Sequence, residues 1–183
     1  MGRLIARVAV GLLFAGHGVQ KVFGWFGGPG PEGAGQMMDS IGLRPGRTNA
    51  MLSGAVETAG GAMLAAGFLT PVAGAALTGN MVTAIEKVHR SSGFWNQNGG
   101  FEFPLTLIAA VVAIVDGGPG PLSLDEALGI DASGSTWALL SLATGVAGSA
   151  LVIEAGKRAP AAQQTSPGAV QEPAADVPAA AHA

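Results

Sequence analysis

The chain contains no cysteine, and only 11% of its 183 residues are charged. The first absence excludes disulfides, thiolate chemistry and Cys-ligated zinc or iron–sulfur centres from this sequence. The second sets it apart from soluble domains, which carry roughly 25% charged residues. A net charge of -3 offers no basic surface for nucleic acid. Phosphate-loop, nucleophile-elbow and dinucleotide fingerprints are also missing, and the GxG patterns at Gly28-Pro29-Gly30 and Gly118-Pro119-Gly120 are turns. No repeat period of about 20 to 50 residues is visible.

What is abundant is apolar sequence. Hydrophobic residues make up 49% of the chain, and its mean hydropathy is +0.43. From Thr48 to Ile85 the only charge is Glu57, and Thr70-Pro71 divides that run with a capping residue and a proline suited to a first helical turn. The halves, about 49–69 and 71–89, predict an antiparallel pair of membrane helices, each close to the length that crosses a hydrocarbon core about 30 Å thick. Further spans are expected over about 4–23, 103–116 and 136–153, the last ending at Lys157-Arg158. The expected fold is all-α: a polytopic membrane helix bundle with a four-helix core and a fifth, C-terminal span.

Between the spans, Gly24–Gly35 reads as a Gly/Pro-rich loop whose Trp25 and Phe26 suit a membrane interface. Asp39–Arg47 reads as a short interfacial turn, Ser91–Gly100 as a polar loop, and Ser123-Leu-Asp-Glu126 as a capping box opening a short helix. The organisation predicted is a core over 1–126, a connecting loop and extra span over 127–158, and a disordered Ala/Pro-rich tail over 159–183. Arg3 and Arg7 ahead of Val8–Gly16 have the look of a signal peptide, but no small-x-small cleavage site follows, and an uncleaved first span is expected. Small residues spaced by four, such as Gly11/Ala15 and Ala62/Ala66, fit close helix packing.

The polar residues of these spans define the candidate site. If the helices alternate in direction, His17, Gln20 and Lys21 near the end of the first, Glu57 in the second, Asn80 and Glu86 in the third and Glu102 at the start of the fourth share one half of the membrane. Glu57 is expected about two turns into its helix, with Lys21 or His17 as its partner. Such a cluster either holds the bundle in register by charge pairing or lines a pocket for a proton, a polar head group or a redox carrier. No set of residues has metal-ligand spacing, and no metal site is expected; a haem between His17 and His89 has no support beyond the presence of the two imidazoles.

The stretches "RVAVGLLFAGHGVQKVFGWFGG", "SGAVETAGGAMLAAGFLTPVAGAALTGNMVTAIEKVH" and "FEFPLTLIAAVVAIVDGGPGPLSLD", in this order, resemble the DoxX family of small bacterial and archaeal integral membrane proteins. The resemblance covers about residues 3–126. It implies a four-helix membrane core in a prokaryotic plasma membrane. Its name derives from a subunit associated with a thiosulfate:quinone oxidoreductase. The function implied is therefore a membrane subunit or accessory scaffold of a quinone-linked redox system, without its own cofactor, whose partners are the lipid bilayer and an oxidoreductase or quinone. A small proton-linked transporter using Glu57 and a purely structural membrane protein are the alternatives. With five spans, Arg44, Arg47, Lys87, Arg90, Lys157 and Arg158 fall on one side and Arg3 and Arg7 on the other, which predicts an outside N-terminus.

Overall fold

The structure, a computed structural model, describes residues 1–158; the Ala/Pro-rich segment expected to be disordered lies outside the described residues. Among them the chain forms helices and no strand: α1 (Gly2–Phe23), α2 (Gly30–Ser40), α3 (Gly46–Ala66), α4 (Thr70–Ala84), α5 (Glu102–Gly117), α6 (Leu124–Ala127) and α7 (Ser135–Arg158). α1 and α7 are long and apolar enough to cross a membrane.

Glycines set the contact between α1 and α3. A Cβ at Gly11 would lie 2.5 Å from the Gly61 carbonyl oxygen, and one at Gly18 would lie 2.6 Å from that of Gly54. The two pairs run in opposite senses along the chain, so the helices are antiparallel and touch backbone to backbone. α7 packs along α4 in the parallel sense: Ser141 Oγ donates to the Pro71 carbonyl at 2.8 Å, Gly145 faces Gly79, and the Thr83 and Ser149 hydroxyls meet at 2.8 Å. α5 closes the bundle against α1, α4 and α7. Phe14, Leu64, Leu77, Leu107 and Val111 fill the space between α1, α3, α4 and α5.

One end of the bundle is sealed by the segment after α5. Asp125 accepts hydrogen bonds from the backbone of Leu69 (2.7 Å) and Thr70 (3.0 Å) and from Thr70 Oγ1 (2.6 Å). It therefore satisfies the free amides at the start of α4, where a negative charge is also favoured by the helix dipole. Leu69, with φ 44°, takes the N-cap place that the sequence suggested for Thr70; a carboxylate supplied from 55 residues away has replaced the local hydroxyl. Ser123 Oγ accepts from the Glu126 amide at 3.2 Å, forming the expected cap of α6. At the same end the buried Arg7 guanidinium donates to the carbonyls of Ala65 and Leu122, and Arg3 donates to that of Gly117 at 2.6 Å.

The other end differs from expectation. Most of the presumed loop before Arg47 is helical: Trp25–Gly27 forms one 3₁₀ turn and α2 follows, with Pro31 and Glu32 in its first turn. Proline fits that turn and glutamate complements its dipole. Ala34 and Met38 on its buried face pack against Leu43 and Ala50, and Asp39 Oδ1 accepts from the Gly46 amide at 2.9 Å, capping α3. Beyond α4 the chain widens into a π-helical turn, Ile85–His89. Trp25, Phe26, Phe94 and Trp95 stand exposed around this end.

Candidate functional site

Lys21 is in the last turn of α1. Its Nζ lies 2.7 Å from Glu57 Oε2 and donates to Ser53 Oγ at 3.2 Å. Ser53 Oγ donates to Asn80 Oδ1 at 2.9 Å, and Asn80 Nδ2 donates to Glu57 Oε1 at 2.7 Å. The four side chains close a ring across α1, α3 and α4. Because a carboxylate only accepts, it fixes the Asn80 amide with nitrogen toward Glu57 and oxygen toward Ser53. Glu57 retains 2% of its side-chain exposure and Lys21 24%. Glu57 lies eleven residues beyond Gly46, about 16 Å along the axis at roughly 1.5 Å per residue, which is deeper than expected and close to the middle of α3. The cost of placing these charges in an apolar setting is offset by their pairing and by the filling of both carboxylate oxygens.

The ring faces a cavity of about 720 Å³. His17, Lys21, Ser53, Glu57 and Asn80 line it among apolar and small side chains from α3, α4 and α7, with Met37 and Met38 of α2 over one end and Phe103 and Leu107 of α5 along another wall. The His17 ring sits edge-on to Phe103 with centroids 6.4 Å apart. An apolar cavity with a few convergent polar groups suits an amphiphilic ligand that is mostly hydrocarbon. Among the described residues, no three His, Asp or Glu side chains converge in a way that would hold a metal ion.

The structure thus brings His17, Lys21, Glu57 and Asn80 to one cavity and leaves out the other candidates. Gln20 packs with its backbone against Gly28 and does not line the cavity. Glu86 turns outward to Arg90, 2.6 Å away, because the π turn rotates it off the inner face of α4. Glu102 accepts from the Asn96 amide at 3.0 Å and stays at the mouth of α5. One participant had gone unnoticed. Ser53 is one turn before Glu57 and so shares its face, a spacing visible in the sequence. Arg7, outside this cavity, lies at the opposite end of the bundle as expected, but its side chain is buried there because it shares the α3-facing side of α1 with Gly11 and Gly18.

The burial pattern is inverted relative to a water-soluble protein. Arg7 and Glu57 are 1% and 2% exposed, while Leu12, Leu139 and Leu151 are 60%, 64% and 73% exposed. A soluble protein buries its large apolar side chains and leaves its charges in water, whereas a bundle solvated by lipid gains nothing by hiding leucines and must enclose its charges. This is a helical membrane protein. Residues 2–90, α1 to the π turn after α4, match the DoxX family model, so this stretch of the chain is similar to the DoxX family. The match stops short of α5, so the likeness seen above in the segment 101–125 lies beyond it. Neither the curated proteins nor the solved structures contain a match.

Proposed function

We propose that the chain is a multi-pass protein of a prokaryotic plasma membrane, a subunit or accessory scaffold of a quinone-linked redox system. It has no resident cofactor and uses the cavity to hold the lipophilic carrier for a partner oxidoreductase. The observation that carries this reading is the hydrogen-bonded Lys21–Glu57–Asn80–Ser53 ring facing an apolar cavity at mid-depth of the bundle. A register-holding ion pair alone requires no cavity beside it. In this scheme residues 1–126 form the family core, and the added span within 127–158 supplies one wall of the cavity through Gly145, Ser149 and Val152. The N-terminus lies outside, since Arg3 and Arg7 are bound to backbone carbonyls while Arg44, Arg47, Arg90, Lys157 and Arg158 gather at the opposite end.

Native purification in a mild detergent, with mass spectrometry of co-purifying proteins and lipids, tests this. A bound quinone or a stoichiometric oxidoreductase is the expected result. Preparations that carry only phospholipid and no partner would refute it.

A further inference from the structure

The hydrogen-bond inventory of the ring also restricts what the cavity accepts. Each of its four acceptor oxygens, Glu57 Oε1 and Oε2, Asn80 Oδ1 and Ser53 Oγ, receives one donor from within the ring and keeps a second lone pair. Donors remain too. An ammonium has three N–H bonds and a carboxamide nitrogen two. Lys21 uses two and Asn80 one, which leaves one on each, on side chains that line the cavity. The charges within the ring cancel. An anionic head group entering here would find a cation already neutralised by a carboxylate 2.7 Å away, and would leave one uncompensated negative charge in an apolar enclosure. An uncharged carbonyl meets both spare donors without that cost.

We infer that the cavity selects uncharged lipophiles whose polar end accepts hydrogen bonds, and discriminates against anionic amphiphiles of the same chain length. This rests on the reading that the cavity holds a lipophilic carrier. The polar end lies against Lys21 and Asn80, and the hydrocarbon runs along Leu52, Val56, Val72 and Val152 beneath Met37 and Met38. Methionines adapt to chains of different shape.

The test uses the full chain in nanodiscs of uncharged lipid and titrates decylubiquinone, methyl decanoate and decanoate at a pH where decanoate is ionised. Methyl decanoate and decanoate share a chain and differ in head-group charge. The wild type should bind decylubiquinone, and bind methyl decanoate at least about tenfold more tightly than decanoate, the preference expected where a charge would be left unpaired. In Glu57→Gln the ring gains a net positive charge, and the preference should shrink by about tenfold or invert. Decanoate binding as tightly as its ester in the wild type would overturn the inference while leaving the carrier reading intact. No binding of any of the three would overturn both. If the Glu57→Gln protein does not fold, the wild-type ratio alone decides.

Discussion

Glu57→Gln and Lys21→Met, made singly and together, measure how far the ion pair acts as a unit. Glutamine keeps the shape of Glu57, but its NH₂ faces either Lys21 Nζ or Asn80 Nδ2, both donors, so the ring either keeps a donor–donor clash or turns the Asn80 amide over and gives up the Ser53–Asn80 bond as it stands. One donor–donor clash costs about 1–3 kcal/mol. The unpaired ammonium adds to this: breaking a fully buried pair costs roughly 3–5 kcal/mol, but Lys21 keeps 24% exposure and water reduces the penalty. A total of about 2–4 kcal/mol is expected for Glu57→Gln. Lys21→Met leaves the carboxylate with Asn80 as its one strong donor and should cost about as much. The double variant removes both charges, so its cost should fall short of the sum by about 1–3 kcal/mol. Reversible unfolding in mixed micelles, followed by circular dichroism as the denaturing detergent increases, gives each value. His17→Phe serves as the control, since His17 contacts Phe103 and not the ring; its effect should add to that of Glu57→Gln. Additivity within about 0.5 kcal/mol between the Glu57 and Lys21 variants would refute the coupled ring, and with it the ligand site built on it.

Gly11→Ala places a Cβ 2.5 Å from the Gly61 oxygen and 2.6 Å from the Ala65 nitrogen, so it should destabilise by about 1–3 kcal/mol in the same assay. Gly16→Ala, with no atom within 4 Å of the added carbon, should be neutral or slightly stabilising. Asp125→Ala removes three hydrogen bonds from the start of α4 and should cost about 1–3 kcal/mol; Asp125→Asn keeps one acceptor oxygen but turns its NH₂ toward either the Leu69 amide or the Thr70 donors, and should cost about as much. Alkaline carbonate should leave the chain in the membrane pellet, and its release without detergent would contradict the bundle's lipid-facing surface. Truncation after Arg158 removes residues with no hydrophobic periodicity and should leave the melting temperature in detergent within about 2 °C of that of the full chain.

The long helices are legible because the sequence marks their ends. Gly24, Gly67 and Gly118 follow α1, α3 and α5 with positive φ, as glycine does where a helix stops, and Thr70-Pro71 opens α4. α2 was not legible. It has few bulky side chains, and its opening Gly30-Pro31 carries the signature of a turn. It becomes helical because Ala34 and Met38 find Leu43 and Ala50 beneath them, a contact that exists only once α3 is in place. Local composition therefore pointed to a loop, and tertiary packing made it a helix.

Arg7 and Lys21, the two cations of α1 that point into the bundle, show why one such contact could be read from the sequence and the other could not. Arg7 faces the last turn of α3, where carbonyls have no intrahelical partner, and it takes the Ala65 oxygen there and the Leu122 oxygen from the sealing segment. Any sequence ending a helix at that level would supply such acceptors, so nothing in the residue types signals the contact. Only the spacing of Arg7 from Gly11 and Gly18, along the face that touches α3, shows that the guanidinium points inward. The Lys21 ammonium meets α3 well inside the helix, where each backbone carbonyl is already used by the helix itself. There a cation needs a side chain that accepts, and that side chain needs further donors of its own. Glu57, Ser53 and Asn80 meet this requirement, and each is a polar residue within a long uncharged run, the one pattern in such a chain that composition cannot explain. Glu86 and Glu102 fail the same test: both lie at helix ends, where the exposed Arg90 side chain and the free Asn96 amide satisfy them without help from the bundle. Depth along the helix, more than charge, separates the residues that must find one another from those that need not.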